Sequence, residues 1–191
     1  MRRIVLASAS PRRRELLEQI GLEFEVIPAQ GEEIVAYTRP EEVVCELSRQ
    51  KAYEVSRRLE ADQEAVIIGA DTVVCLDEQI MGKPKDREDA IRMIGQLQGR
   101  KHSVFTGVAI LLTVPGQEAV CHNFAYKTNV EVYPMTREEM EDYVDTGEPM
   151  DKAGAYGIQG QFAAWVRGIE GDYNNVVGLP VSAIWQILKK I

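Results

Sequence analysis

The chain has 191 residues, of which 45% are apolar and 27% charged, a composition typical of a globular protein and not of a fibrous or disordered one. Its 22 basic and 30 acidic residues give a net charge of −8, which argues against a protein that binds mainly to nucleic-acid phosphates. No apolar run approaches the roughly 18 residues that span a bilayer, and no secretory signal sequence is visible, so the expected location is the cytoplasm.

Strands and helices alternate along the first part of the chain. A short strand over 3–7 leads into a helix that Ser10 caps, Pro11 opens and Gly21 ends. A second short strand over 24–28 and a polar loop precede a long helix that begins at Pro40. This helix carries its acidic residues first and its arginines last, as the helix dipole favours.

The middle of the chain contains the most apolar segment. The run AVIIGADTVVCL (65–76) is too continuously apolar for an exposed strand, so it is predicted to be a central buried strand. A helix stopped by Gly99 follows. Two long β segments, 103–114 and 119–133, are then expected to form an antiparallel hairpin.

The last third begins with a capping box, in which Thr136 and Glu139 start a helix that ends at Gly147. A further strand is predicted around FAAWVRGI (162–169). The final helix places five apolar side chains on one face: Val181, Ile184, Trp185, Leu188 and Ile191. These elements predict an α/β fold with a mixed, twisted sheet flanked by helices, as one domain over 1–191 or two lobes around a central cleft.

The first predicted helix has an unusual beginning. Arg12, Arg13 and Arg14 crowd the turn where the helix dipole favours acidic side chains. Free backbone N–H groups at a helix N-terminus attract anions, and Ser8 and Ser10 lie in the loop that approaches it. The pattern indicates a phosphate site, and the alternative is a run of solvated arginines.

Two lysines are further candidates for binding phosphate. Lys51 interrupts the apolar stripe of its helix, either because its ammonium extends to the surface or because it points into an anionic pocket. Lys83 follows the central strand in a GKP sequence that lacks the spacing of a Walker phosphate loop.

A carboxylate within an apolar strand is the third anomaly. Asp71 lies between two pairs of aliphatic residues, where it needs a cation, hydrogen bonds or a metal. Such residues are often functional, and the alternative is a structural ion pair. Glu32 and Glu33, in the loop after the second strand, can supply further oxygen ligands or simply be solvated.

The stretch EPMDKAGAYGIQG is rich in glycine but does not match the dinucleotide fingerprint GxGxxG. Its glycines allow close approach of the backbone to a ligand, and Gln159 offers a donor and an acceptor to a base edge. His102 and His122 are isolated and are interpreted as structural. Three scattered cysteines without a CxxC motif are interpreted as small core residues: Cys45, Cys75 and Cys121.

Taken in order, six segments resemble the Maf family of nucleoside triphosphate pyrophosphatases: SASPRRRELL, GADTVV, GKP, GRKHSVFTGV, EPMDKAGAYGIQG and GDYNNVVGLPV. The resemblance implies a cytosolic α/β fold of the Maf/ITPase type and a homodimer. It also implies an enzyme that uses a divalent cation, Mg²⁺ or Mn²⁺, to hydrolyse a nucleoside triphosphate to the monophosphate and pyrophosphate.

The same resemblance assigns roles to single residues. Asp71 matches the family's proton acceptor, and three positions match those linked to substrate choice: Arg12, Thr72 and Gln159. The YGIQG sequence is similar to that of the subgroup acting on dTTP and UTP. The predicted partner is therefore a pyrimidine nucleoside triphosphate, with no role for nucleic acid or membrane.

These roles combine into one predicted mechanism. Glu33 and Asp71 form the metal site, and four side chains hold the phosphate oxygens: Ser8, Arg13, Lys51 and Lys83. Asp71 orients or deprotonates the water that attacks the α-phosphorus. The alternative is a non-enzymatic, nucleotide-binding regulator of cell division and septum formation, which would bind without turnover.

Overall fold

Seven strands form one sheet in the computed structural model, which describes residues 2–60 and 62–191. The strands are β1 (Arg3–Leu6), β2 (Glu25–Val26), β3 (Ala65–Leu76), β4 (Gln79–Met81), β5 (Lys101–Thr113), β6 (Val120–Val132) and β7 (Val166–Glu170). The helices are α1 (Pro11–Gln19), α2 (Pro40–Ser56), α3 (Arg87–Leu97), α4 (Arg137–Asp145), α5 (Tyr173–Val177) and α6 (Val181–Leu188). None of the helices in the described ranges is long and apolar enough to cross a bilayer.

The sheet mixes parallel and antiparallel pairs. Its strand order is β2-β1-β3-β5-β6-β7, and β4 pairs with β3 off this path. The neighbours β1 and β2, and β1 and β3, run parallel, whereas β3 and β4, and β6 and β7, run antiparallel. The predicted α/β fold with a mixed sheet is therefore confirmed, and β5 and β6 are neighbours as the predicted hairpin requires.

The chain packs as two compact units. The first contains the segments up to Asp71, Thr106–Tyr126 and Gly178–Ile191, and the second contains Thr72–Phe105 and Lys127–Val177. Aliphatic side chains from β1, β3, β5 and α2 build the core of the first unit: Val5, Val55, Ile67, Ala109 and Leu111. A cleft between two lobes stays a prediction.

The second unit has an aromatic core. Phe162 packs against Tyr143 with a ring-centroid distance of 5.1 Å and against Tyr156 with one of 4.6 Å. His102 meets Tyr156 edge to face and shares a hydrogen bond of 2.7 Å between its Nε2 and the phenol oxygen. His102 is only 3% exposed, which confirms its predicted structural role, whereas the side chain of His122 is exposed.

The buried imidazole of His102 makes the stability of the protein depend on pH. Burial lowers the pKa of His102 from 6.5 to about 4. Between these values the unfolded chain binds the proton and the folded chain does not, so the stability present above pH 6.5 is lost as pH falls towards 4. We expect the loss to be roughly 3 kcal/mol, from the size of the shift. Urea unfolding of wild type and His102→Gln at neutral and acidic pH measures it, because the variant should lose less stability; an identical loss would contradict this account.

Four local features differ from the sequence-based expectations. Ser10 occupies the N-cap of α1, but its side chain makes no capping hydrogen bond there. The expected strand over 162–169 begins as a 3₁₀ turn, Gln161–Trp165, and becomes β7 only afterwards. The short elements β4 and α5 were not predicted. Trp185 is 40% exposed, so the apolar face of α6 is narrower than its sequence pattern indicates.

Candidate active site

Asp71 lies in the middle of β3, at a break between two buried stretches of the strand. Residues 65–70 of this strand are buried, and Asp71 and Thr72 are half-buried. The Asp71 side chain is 15% exposed, so its carboxylate is largely removed from water and needs a partner.

Helix α2 approaches β3 closely because of Gly69. A Cβ atom at Gly69 would lie 2.2 Å from the backbone oxygen of Ser48 and 2.9 Å from the backbone nitrogen of Ala52. Only glycine lets the two backbones come this near. The approach places Lys51, which lies on the same turn of α2 between Ser48 and Ala52, beside the half-buried middle of β3.

Lys51 is the partner of two carboxylates. Its ammonium nitrogen Nζ lies 2.6 Å from Asp71 Oδ1 and 2.9 Å from Glu33 Oε1. The Lys51 side chain is 18% exposed and that of Glu33 is 53% exposed, so the group opens to solvent on the Glu33 side. The predicted anionic pocket around Lys51 is therefore present, and Glu33 and Asp71 converge on one positive charge.

Arg13 is a buried anchor for the same region. Its Nε donates to the backbone oxygen of Gly178 at 2.9 Å, and its Nη1 donates to Ala70 at 2.8 Å and to Ser8 Oγ at 3.1 Å. Burial lowers the pKa of Arg13, and the negative charge of Asp71 opposes that shift. Arg13 thus joins the loop after β1 and the middle of β3 to the segment before α6. Direct contact of Arg13 with phosphate stays a prediction.

We expect Arg13→Lys to destabilise the protein by about 2 to 4 kcal/mol, because a lysine ammonium cannot make all the hydrogen bonds of the planar guanidinium. Buried carbonyl oxygens would then lose their hydrogen-bond donors. Urea unfolding measures this loss. Arg14→Lys is the matched control, since Arg14 pairs with Glu18 at the surface at 2.7 Å and should change stability little. Equal effects of the two substitutions would contradict the anchoring role.

The glycine-rich segment lies in the second unit and is organised by Glu148. Its Oε1 accepts a hydrogen bond from Tyr143 at 2.9 Å, and its Oε2 accepts one from the backbone of Gln161 at 3.0 Å. A Cβ atom at Gly160 would lie only 2.2 Å from the Glu148 carboxylate. These contacts fix the backbone that follows Gln159, whose side chain is exposed.

The predicted site residues therefore fall into two groups. The first unit brings together Ser8, Arg13, Glu33, Lys51 and Asp71, with Arg12 half-buried on the same helix turn as Arg13. The second unit contains Thr72, which follows Asp71 in β3, the exposed Lys83 after β4, and Gln159. That the two groups face one substrate stays a prediction.

Sequence reasoning missed Gly69 and Gln50. Gly69 belongs to the GADT motif, and its location in a buried strand was a signal of close backbone approach. Gln50 precedes Lys51 and contacts the loop that carries Glu33, but a surface glutamine has no distinctive sequence pattern.

The residues present fit a divalent cation. Within 2–60 and 62–191 there is no cluster of three or more His, Cys, Asp or Glu side chains arranged for a metal. Glu33 and Asp71 nevertheless converge on the Lys51 ammonium, which shows that both carboxylates can serve one cation. Mg²⁺ commonly takes one or two carboxylates and completes its shell with water and substrate phosphates.

Comparison with known proteins identifies the family of this chain. A family model described as Maf-like protein matches residues 3–191. The dTTP/UTP pyrophosphatase of Agathobacter rectalis is 53% identical over 100% of this chain and 98% of its own length. A protein of the same name from Thermoanaerobacter sp. is 48% identical over 98% of this chain and 96% of its own length.

Among solved structures, a nucleoside-triphosphatase / dITP/XTP pyrophosphatase from Mycobacterium abscessus aligns with 98% of this chain and 97% of its own. The TM-score of this alignment is 0.46 and the sequence identity is 14%. The family match covers nearly the whole sequence and includes every predicted site residue. The chain therefore belongs to the Maf-like protein family.

Proposed function

We propose that this protein hydrolyses dTTP and UTP to the nucleoside monophosphate and pyrophosphate. The observation that carries the proposal is the group formed by Asp71, Lys51 and Glu33, two carboxylates around one ammonium beside the half-buried middle of β3. Relatives named dTTP/UTP pyrophosphatase, 48% and 53% identical, support the reaction and the nucleobase preference.

Asp71 is the proposed proton acceptor for the attacking water. Lys51 holds its Oδ1 in place before substrate binds. A triphosphate that enters the site competes for the Lys51 ammonium, and this competition releases carboxylate oxygens of Asp71. Because a carboxylate has two oxygen atoms, Asp71 can engage a cation through one and accept the proton of water through the other.

The phosphates are proposed to contact Ser8, Arg13, Lys51 and Lys83, and Arg13 also holds Ser8 in place. Ser8 Oγ accepts hydrogen bonds from Arg13 at 3.1 Å and from the backbone of Ser10 at 3.2 Å. The hydroxyl hydrogen of Ser8 is then the group that it can offer to a phosphate oxygen. Lys51 and Lys83 add the positive charge that offsets the charge building up on pyrophosphate.

Glu33 and Asp71 would hold the divalent cation, Mg²⁺ or Mn²⁺. A bound cation of this kind supplies positive charge that polarises the triphosphate and favours departure of pyrophosphate. The residues of this chain determine where the cation would bind, because Asp71 is fixed in β3 and Glu33 lies on the loop before α2.

Substrate choice is assigned to Arg12, Thr72 and Gln159. Gln159 presents both a donor and an acceptor, as the edge of a pyrimidine base requires, and the contacts of Glu148 limit the movement of its backbone. A site that hydrogen-bonds a specific base edge can reject mismatched bases strongly. The working form is proposed to be a cytoplasmic homodimer.

A substrate panel tests this function. Pyrophosphate release is measured with dTTP, UTP, CTP, 7-methyl-GTP, ITP, ATP and GTP in the presence of Mg²⁺, Mn²⁺ or a chelator. We expect turnover that favours dTTP and UTP and stops with the chelator. A preference for purines would contradict the role of Gln159. Binding without turnover, by protein shown to be folded, would replace the enzyme with a nucleotide-binding regulator.

A further inference from the structure

Glu33 lies on the exposed part of a loop, beyond Ile27 and Ala29, which pack against the core. Residues 27–39, which we call the Glu33 loop, form no helix or strand between β2 and α2. Residues 30–39 are all exposed, including the apolar side chain of Ile34 at 69%. Burial of apolar surface therefore contributes little to the position of Glu33, and polar contacts must supply it.

Gln50 supplies two of these contacts from α2. Its Oε1 accepts a hydrogen bond from the backbone N–H of Ile34 at 3.1 Å, and its Nε2 donates to the backbone oxygen of Ile34 at 2.6 Å. The side-chain amide thus binds both polar backbone groups of the residue next to Glu33. Two adjacent residues of α2, Gln50 and Lys51, engage two adjacent residues of the loop.

The orientation of the Gln50 amide is determined by its surroundings. Its Nε2 also donates to Glu46 Oε1 at 2.9 Å. Because an ionised carboxylate only accepts hydrogen bonds, a flipped amide would place Oε1 against two acceptors. Arg49 pairs with Glu46 at 2.8 Å, and the bonds from Gln50 and Arg49 lower the pKa of Glu46. The amide therefore has its oxygen facing the Ile34 N–H and its NH₂ group facing the Ile34 carbonyl oxygen.

We propose that Gln50 is a positioning residue, which holds the Glu33 loop so that the Glu33 carboxylate faces Lys51 and Asp71. The inference rests on the proposed function, because in this position Glu33 can bind the cation that accompanies the triphosphate. Residues that orient metal ligands from behind commonly matter almost as much as the ligands themselves. Gln50 touches neither substrate nor metal in this account.

Hydrogen exchange tests the positioning directly. Gln50→Ala is expected to raise amide exchange within 31–38 while the rest of the chain and its melting temperature stay unchanged. Gln50→Glu keeps the size of the side chain but places a carboxylate against Glu46 and the Ile34 oxygen, and it should loosen the same segment. Gln96→Ala is the matched control, since Gln96 also lies on a helix surface and accepts a bond from Arg92 at 3.1 Å. Unchanged exchange in both Gln50 variants would overturn the proposal.

Metal binding tests its consequence. Mn²⁺ is titrated calorimetrically into the protein with α,β-methylene-UTP, whose carbon bridge cannot be hydrolysed, and half-maximal Mn²⁺ is also measured for turnover of dTTP. Gln50→Ala should weaken Mn²⁺ binding about 10-fold, the lower end of the usual cost of removing a residue that supports a metal ligand. Added to Glu33→Gln, it should cause no further loss, because its effect passes through Glu33.

The outcomes separate the two proposals. Mn²⁺ binding of Gln50→Ala equal to that of wild type, or a full additional loss in the Glu33→Gln background, would overturn the role of Gln50 alone. Wild-type protein that does not hydrolyse dTTP or UTP would overturn the proposed function. The exchange measurement on 31–38 still decides whether Gln50 positions the loop.

Discussion

Asp71→Asn is expected to lower the turnover of dTTP by roughly 100- to 10,000-fold at saturating substrate and metal, the range that a positioned acid or base contributes. The substitution keeps the size of the side chain but removes its charge. Lys51 then loses the negative charge of its partner at 2.6 Å, and the water loses its proton acceptor. Steady-state pyrophosphate release measures the effect, and circular dichroism checks that the variant is folded.

Asp77→Asn is the matched control for this prediction. Asp77 follows β3 directly and pairs with Arg100 at 2.7 Å, with a side chain that is 69% exposed. The same chemical change at this position should leave turnover close to that of wild type. Wild-type turnover by Asp71→Asn would remove Asp71 from the mechanism.

Gly69→Ala is expected to destabilise the protein by about 3 kcal/mol, the upper end of the usual cost of overpacking. The new methyl group would lie 2.2 Å from the backbone oxygen of Ser48. A helix backbone cannot relieve this clash by changing rotamer, as a flexible side chain can. Helix α2 must therefore move away from β3 and take Lys51 with it. Urea unfolding should report the loss of stability, and the KM for dTTP should rise.

Gly168→Ala makes the same change where space is open. No described atom lies within 4 Å of a Cβ atom at Gly168, a residue of β7, so this substitution should be neutral or slightly stabilising. Gly107 is a second position where only glycine fits beside α2, because a Cβ atom there would lie 2.2 Å from the backbone oxygen of Val44. If Gly69→Ala were as stable as wild type, α2 would not be held at this distance by glycine.

Local signals predicted the fold well where a few adjacent residues determine the structure. Thr136 accepts a hydrogen bond from the backbone of Glu139, whose side chain binds back to Thr136, as the capping box requires. Gly147 ends that helix with a positive φ of 76°. Both features depend on residues within one helix, so tertiary contacts did not alter them.

The predictions failed where tertiary packing decides between two conformations. FAAWVRGI is continuously apolar at first, and such a run suits a strand or a tight helical turn equally well. Phe162 packs its ring into the aromatic core and belongs to the 3₁₀ turn, whereas the chain becomes a strand only at Val166. Short elements such as β4, with three residues, have too little sequence pattern to be recognised.

For the site, the sequence identified the unusual residues but not how they meet. Asp71 stood out in an apolar strand and Lys51 in an apolar helix stripe, because each breaks the pattern of its own element. Their ion pair at 2.6 Å, and the second pair with Glu33, depend on how α2 lies over Gly69. The run of arginines was less informative, since Arg13 and Arg14 look alike in sequence but one is buried and the other is at the surface.

The fate of the water oxygen tests the central claim most directly. In the proposed reaction, water forms a bond to the α-phosphorus while the bond from that phosphorus to the bridging oxygen breaks, and pyrophosphate leaves with the bridging oxygen. Wild-type protein hydrolyses dTTP in H₂¹⁸O, and mass spectrometry of both products locates the label. We expect ¹⁸O in the nucleoside monophosphate and unlabelled pyrophosphate. Label in the pyrophosphate would show attack at another phosphorus and contradict the central claim.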